Sequence, residues 1–398
     1  MIFDALVIGG GPAGATAALL LARAGWSVAL VEKKEFPRRK VCGEFISATS
    51  LTLLRELGVL PQFAAQAGPP VRQVGFFAGK HSFTAQMPSV DGELTWGRAL
   101  GRETLDTLLL AQAARAGARI IQPATVRSIA RTGDTHVACV EAADSEHDVR
   151  ARVVIAAHGS WENGSLPTQA SRPHRKSDLL AFKAHFTGGA LPDTLMPLLA
   201  FPGGYGGMVH GDRGRVSLSC CIRRDALEAA RKSYGGPAAE AVLAHIRNTC
   251  AGADAAMDGA RREEVWLAAG PIRPGIRERY RDGIFVTGNA AGEAHPVVAE
   301  GISMAMQSSW LLCRALLSYD VRISSEERAA AAADYTADWS GAFAVRLYAA
   351  ALFAQLAQRP ATAELSAAVI ARFPPLLTFG ARLSGKTHVV IKPRQHAA

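Results

Sequence analysis

Three glycines and one acid carry the first chemistry that this sequence offers. Gly9, Gly11 and Gly14 spell G-x-G-x-x-G, with Pro12 and Ala13 inside the motif. Glu32 follows about twenty residues on, at the end of an apolar run. Gly9 permits a tight turn. Gly11 has no Cβ, so a diphosphate can approach the backbone. Gly14 lets a helix lie close to a sheet. Free N–H groups at the helix start, with the positive end of its dipole, attract the diphosphate. Glu32 can accept a hydrogen bond from a ribose hydroxyl. The flanking residues supply the elements this chemistry needs. Residues 5–8 are apolar, 15–24 are small helix formers stopped by Gly25, and 27–31 are apolar again. Strand, glycine turn, helix, strand and acid in that order predict a dinucleotide site. FAD and NAD(P) both remain open from this stretch alone.

The rest of the chain must position that site. Residues 47–57 have helical spacing, with Leu51, Leu54 and Leu57 in phase before Gly58. Residues 71–87 alternate like strands around Gly79-Lys80. Residues 102–116 form an amphipathic helix with Leu105, Leu108, Leu109 and Ala113 on one side. Residues 149–157 and 282–288 read as buried strands, and a helix follows from about Gly301. Between 160 and 270 the pattern changes to alternating strands at 179–186, 198–201, 206–210 and 216–222. Two helices follow, at 225–233 and 238–250. The expected class is α/β: a Rossmann-like nucleotide domain, an inserted and mainly antiparallel β-sheet substrate domain, and a helical C-terminal region. The expected nucleotide domain is discontinuous, over 1–70, 97–159 and 271–320. The substrate domain takes 71–96 and 160–270, and the helical region 321–398.

Composition narrows the function classes. The net charge is +9. The basic residues are scattered in short groups such as Arg38-Arg39-Lys40, Arg223-Arg224 and Arg261-Arg262, with no interleaved aromatics, so nucleic-acid binding is not expected. None of the six cysteines has metal-ligand spacing, so no metal is expected and the thiols read as reduced. The motif begins almost at Met1, which argues against a signal peptide and for a cytoplasmic protein. Asn163-Gly164-Ser165 is then an incidental sequon. Arg346 interrupts the apolar run at 341–357, so no transmembrane segment is expected, while peripheral membrane contact stays open. Residues 373–379, apolar around Pro374-Pro375, are expected to form a helix-capping loop.

Four separated motifs together resemble the FAD-dependent oxidoreductases that include geranylgeranyl reductases and single-component aromatic hydroxylases. The first is the glycine motif. The second is Arg102 with Leu105-Asp106, followed by Gly117-Ala118. The third runs from Val153 to Gly159. The fourth is Gly288-Asn289-Ala290-Ala291-Gly292, then Pro296, then Glu300-Gly301-Ile302. The resemblance covers residues 1 to about 320 and implies FAD in the opening site. It adds Lys33, Arg102, Val126, Gly159, Gly288, Asn289, Gly301 and Ile302 to the expected cofactor residues. Pro296 and Glu300 are placed beside the flavin ring as candidate catalytic residues. Val41-Cys42-Gly43-Glu44 resembles a segment of the reductases, and Cys42 and Glu44 become candidate proton donors. Phe201 to Gly207 resembles another reductase segment, in the substrate domain.

The chain also departs from the hydroxylases. They carry Asp at the positions of Asn289 and His158, and the second change puts their route of NAD(P)H use in doubt. A halogenase W-x-W-x-I-P motif is absent, which sets halogenation aside. The expected function is oxygenation of an apolar, aromatic or polyketide-like small molecule. The alternative is reduction of C=C bonds in a prenyl chain, with a non-catalytic escort of a lipidated partner behind it. NAD(P)H or a reduced electron carrier is the candidate donor.

Overall fold

The computed structural model describes residues 1–90, 95–143, 145–159, 164–169, 173–387 and 390. Asn163 of the sequon and the end of the expected helical region, 388–389 and 391–398, lie outside the described residues.

The opening strand Ile2–Ile8 lies at the centre of the first sheet. It pairs in parallel with Val28–Val31 on one side and with Ser145–Ala156 on the other. Arg119–Ile121 and Ile284–Val286 extend the sheet in parallel at its two sides. All four residues of Val28–Val31 are buried, as a parallel sheet covered on both faces requires. One cover is the helix Pro12–Arg23, which packs against the helices Arg102–Arg115 and Gly301–Ser318. The N-terminal half of Ser145–Ala156 carries an antiparallel meander of Thr135–Ala142 and Thr125–Thr132.

The second sheet is mainly antiparallel and holds the hairpin Gln73–Ala78/His81–Gln86 together with Leu179–Thr187, Leu195–Phe201, Gly204–His210 and Val216–Arg223. Among the described residues its one parallel pairing joins Leu195–Phe201 to Gln73–Ala78. This is why a short piece near residue 80 belongs with the segment from 179 onward. Leu267–Ile272 also pairs with Leu179–Thr187, so the sheet continues two residues beyond the expected boundary at 270.

Period-two alternation gives the second sheet two different faces. One face, with Leu199, Phe201, Met208, Leu218, Cys220 and Ile222, packs under the helices Arg224–Tyr234, Ala238–Thr249 and Ala251–Ala256 as a separate core. The other face looks toward the nucleotide domain.

The C-terminal region is helical, as Ser325–Gln358, Pro360–Arg372 and Pro375–Ala381. One expectation changes here. Residues 375–381 form a helix and not a loop, because proline at a first helical turn gives up an N–H that has no intrahelical partner there. The run interrupted by Arg346 belongs to one 34-residue helix that is long and apolar enough to cross a membrane by length and composition. Arg346 is buried within it and does not break it.

Candidate cofactor and substrate site

A cavity of about 380 Å³ opens between the two sheets, lined on one side by the nucleotide domain and on the other by the inner face of the second sheet. Its first wall starts at the glycine motif. Gly9 has φ +106°, and a Cβ there would lie 2.6 Å from the Ala157 carbonyl oxygen. A Cβ at Gly14 would lie 1.8 Å from the Gly9 carbonyl oxygen. Strand, turn and helix therefore close on each other only because both side chains are absent. Gly11 differs: a Cβ there would meet only Arg102 Nη2, at 3.7 Å, so the space in front of it is open. No side chain caps this helix. Its first N–H groups face a concave, open space, which is the geometry an anion needs.

Glu32 is buried and aimed. Gly10 N–H donates to its Oε2 at 2.7 Å, Lys34 N–H donates to its Oε1 at 2.9 Å, and Arg38 stands at 3.6 Å. Glu32, Lys33, Val126 and Gly159 all line the cavity. Arg102 lines it too and is gripped in bidentate fashion by Asp106 in the next helical turn, at 2.7 Å for both bonds. Burial works against its charge, but Asp106 outweighs burial and raises the pKa.

The far end of this wall is the turn after Ile284–Val286. Gly288 has φ +64° and packs on the first helix, where its Cβ would stand 2.7 Å from Ala13 Cβ. Gly288 N–H donates to Ser308 Oγ at 3.1 Å, and Ser308 exchanges a further hydroxyl bond with Tyr335 at 2.9 Å. Gly14 and Gly288 are therefore packing glycines outside the cavity lining, while Gly9, Gly11, Pro12, Ala13, Asn289, Pro296, Gly301 and Ile302 line it. Asn289 donates to Glu293 at 3.1 Å. The helix Gly301–Ser318 also starts without a side-chain cap, and nothing lies within 4 Å of a Cβ at Gly301.

Glu300 departs from its expected place. It is buried, absent from the cavity lining, and held at 2.8 Å by Lys386 Nζ. The same ammonium donates to the Val298 carbonyl at 3.0 Å. The C-terminal turn thus fastens the loop before the helix, and Glu300 serves that fastening.

The second wall is made by the inner face of the second sheet. Tyr205, Gly207 and Val209 alternate onto this face, opposite Cys221, Ser219 and Ser217. Ala181, Lys183 and His185 continue the three rows on the next strand. Met196, Leu198 and Ile272 complete the apolar part. Tyr205 hydroxyl bonds His295 Nδ1 at 3.1 Å, and burial lowers the His295 pKa to about 4. His295 is thus a neutral turn residue tied to the sheet.

The Cys42-Gly43-Glu44 loop crosses from the first wall to the second. Glu44 adopts φ +65° and its carboxylate is buried. It receives Lys183 Nζ, His185 Nε2 at 2.8 Å and Arg102 N–H at 3.2 Å. Burial alone would raise its pKa, but these partners win and lower it to about 2. Glu44 is therefore ionised at neutral pH and is not a proton donor, which corrects one expectation. Gly43 lies over the sheet, its absent Cβ 3.3 Å from Ser219 Oγ. Cys42 lines the cavity with its thiol against Arg102. Lys183, His185 and the partner of His185, Arg215, at 3.3 Å from Nδ1, had no local sequence signal.

These features meet the demands of FAD: two uncapped helix starts, an open glycine cradle and a buried, aimed acid. A family model described as FAD binding domain matches residues 3–321. The chain belongs to that FAD-binding family. Digeranylgeranylglycerophospholipid reductase 1 of Methanopyrus kandleri is 28% identical over 329 residues, which are 77% of this chain and 78% of that protein. Conditioned medium factor receptor 1 of Dictyostelium discoideum is 28% identical over 341 residues, 79% of this chain but only 63% of that longer protein. Among solved structures, the flavin-dependent brominase Bmp2 superposes with a TM-score of 0.76 at 18% identity, covering 97% of this chain and 94% of the brominase. At that identity the likeness concerns the fold. The α/β architecture and the FAD-dependent oxidoreductase class follow from these matches and the geometry together.

Proposed function

We propose that this FAD-dependent oxidoreductase reduces C=C bonds in an apolar, isoprenoid-type chain. The observation that carries this reading is the chemistry of the substrate wall. Met196, Leu198, Val209 and Ile272 give it an apolar surface, Gly207 leaves room beside them, and Tyr205 and Cys221 are its titratable groups in the cavity lining, while Lys183 and His185 of the same face are buried against Glu44. Burial raises the pKa of Tyr205 and Cys221, so both are neutral at pH 7. Hydroxylation of a phenol calls for a base to take the phenolic proton. Among the described residues, the cavity-lining part of that sheet offers none, since His185 on the same face lies outside the lining and is held by Glu44. An isoprenoid chain asks only for apolar contact and, at reduction, for a hydride and a proton. The reductase relatives match across three quarters of their own length, which supports the same choice.

Bound FAD would supply the electron pair as hydride. The protein's residues do the rest. Gly11, the first helix and Arg102 would hold the diphosphate, and Glu32 the ribose. The start of Gly301–Ser318 would face the cofactor's electron-rich edge with its N–H groups. Cys42 replaces Glu44 as proton donor: it lines the cavity, and the thiolate left behind would sit beside the Arg102 guanidinium. Oxygenation of an apolar or aromatic substrate is the second reading, kept because the fold is shared with other flavoenzymes.

The test is a single turnover of chemically reduced protein with a geranylgeranyl lipid, in the absence of air, read by mass spectrometry. The proposal predicts product that has gained one pair of hydrogen atoms per reduced flavin. Unchanged lipid without air and an added oxygen atom with air would instead establish the oxygenase.

A further inference from the structure

The C-terminal helices bury one face and leave the other bare. Along Ser325–Gln358, the residues Tyr335, Trp339, Phe343, Leu347, Ala350, Ala354 and Ala357 are buried. Their spacing of three and four residues is a continuous stripe that fastens the helix lengthwise to the body. The helix therefore lies on the molecule, although its length and composition would suit a membrane span. Its outer face carries Val345, Tyr348 and Leu352, again at helical spacing and 56–70% exposed. The next helix repeats the pattern with Leu365, Val369 and Phe373 at its end, 42–65% exposed. The third continues it through Leu376 and Phe379, and Leu383 follows in the next turn, all 39–56% exposed. Three successive helices thus leave large apolar side chains in water, far more than scattered surface residues explain.

The charges around these residues are mostly positive. Arg359, Arg372 and Arg382 are exposed at the ends of the helices, and Arg372 lies over the Phe373 ring at 5.2 Å. Between 341 and 387 Glu364 is the one acidic residue. Apolar side chains rimmed by arginine are the composition that enters a lipid–water interface and meets anionic headgroups. A second copy of this chain fits less well, because a two-fold contact would bring like-charged arginines together.

We propose that the outward face of these three helices docks on an anionic membrane surface, with the long helix lying on the bilayer and not across it. The proposal concerns binding and holds whichever reaction the cavity performs.

The experiment is co-sedimentation of the FAD-loaded protein with phosphatidylcholine vesicles, with and without phosphatidylglycerol. The expected result is binding that strengthens with phosphatidylglycerol and weakens with salt. The L365S/F373S/F379S variant should partition at least roughly tenfold less. Each of Arg359→Gln, Arg372→Gln and Arg382→Gln should weaken binding to anionic vesicles roughly fivefold. FAD content and thermal midpoint should stay at wild-type values in all four, because these side chains face outward. Wild-type protein left in the supernatant would overturn the proposal, and so would variants that bind as well as wild type. A dimer in sedimentation velocity that the L365S/F373S/F379S variant abolishes would also overturn it, by assigning the face to a second copy.

Discussion

The cofactor wall of the cavity works through backbone, and the substrate wall works through side chains. On the first, Gly9 and Gly14 bring strand and helix together by lacking a Cβ, and the exposed groups are N–H donors. On the second, Met196, Leu198, Tyr205 and Val209 set the surface, and a buried ion cluster on Lys183 and His185 sets the edge. A backbone site tolerates almost no change at its glycines but does not care what lies around it. A side-chain site can be re-lined residue by residue while its sheet stays the same. The flavoenzyme relatives, with reductase and brominase names over one fold, fit this division.

The comparison breaks first at Gly14. In Gly14→Val the added carbon meets the Gly9 carbonyl at 1.8 Å, so the turn must open. Loss of soluble, FAD-loaded protein is expected, measured by expression yield and flavin absorbance. A well-folded yellow variant would show that the close approach is not needed.

Next comes the bridge between the walls. Glu44→Gln leaves Lys183 and His185 buried against a neutral amide. A loss of about 3–5 kcal/mol in urea unfolding is expected. The wild type should show the matching pH dependence. The Glu44 pKa is lowered from 4.5 to about 2, so its contribution is complete above pH 4.5 and fades as pH falls toward 2. Glu44→Gln should lack that part of the acid transition, and an unchanged acid profile would remove Glu44 from the account.

A smaller effect is expected at Cys42. Cys42→Ser should lower the reductive turnover roughly a hundredfold while FAD content is unchanged. Equal turnover would move the proton donor elsewhere on the wall.

The smallest effect belongs to the tie between sheet and turn. Tyr205→Phe removes the 3.1 Å bond to His295 and should cost about 1 kcal/mol. The lowered His295 pKa adds its own pH dependence. Its contribution is present above pH 6.5 and fades as pH falls toward 4, because the folded state resists protonation. Removing the imidazole with His295→Gln should flatten that window in thermal melts between pH 7 and 4.

The same division explains what could be read before the structure. Gly9, Gly11, Gly14 and Glu32 announce themselves because a backbone site forces glycine and an acid into one short stretch. Lys183 and His185 share one face of a single strand by alternation, but the partners of Glu44 lie 139 and 141 residues away, and only the fold brings that face to the Glu44 loop. No local period records that. Glu300 misled for the same reason: its motif position suggested the flavin ring, but Lys386, 86 residues later, claims its carboxylate. The strands of the second sheet are legible from their alternation, yet which of their residues face the cavity depends on how the strands pair. The proline-containing apolar stretch reads as a loop in sequence, whereas proline in a first turn suits a helix start.

Gly11 tests the central claim most directly, because its position is open where those of Gly9 and Gly14 are closed. A valine Cβ there would meet only the tip of Arg102, so the fold should survive. It would fill the space in which a diphosphate must approach the backbone. Gly11→Val protein is therefore predicted to keep its thermal midpoint as apoprotein and to lose FAD binding by at least roughly a hundredfold, read by flavin absorbance and fluorescence titration. Normal FAD content in that variant would contradict a cofactor site built on this backbone.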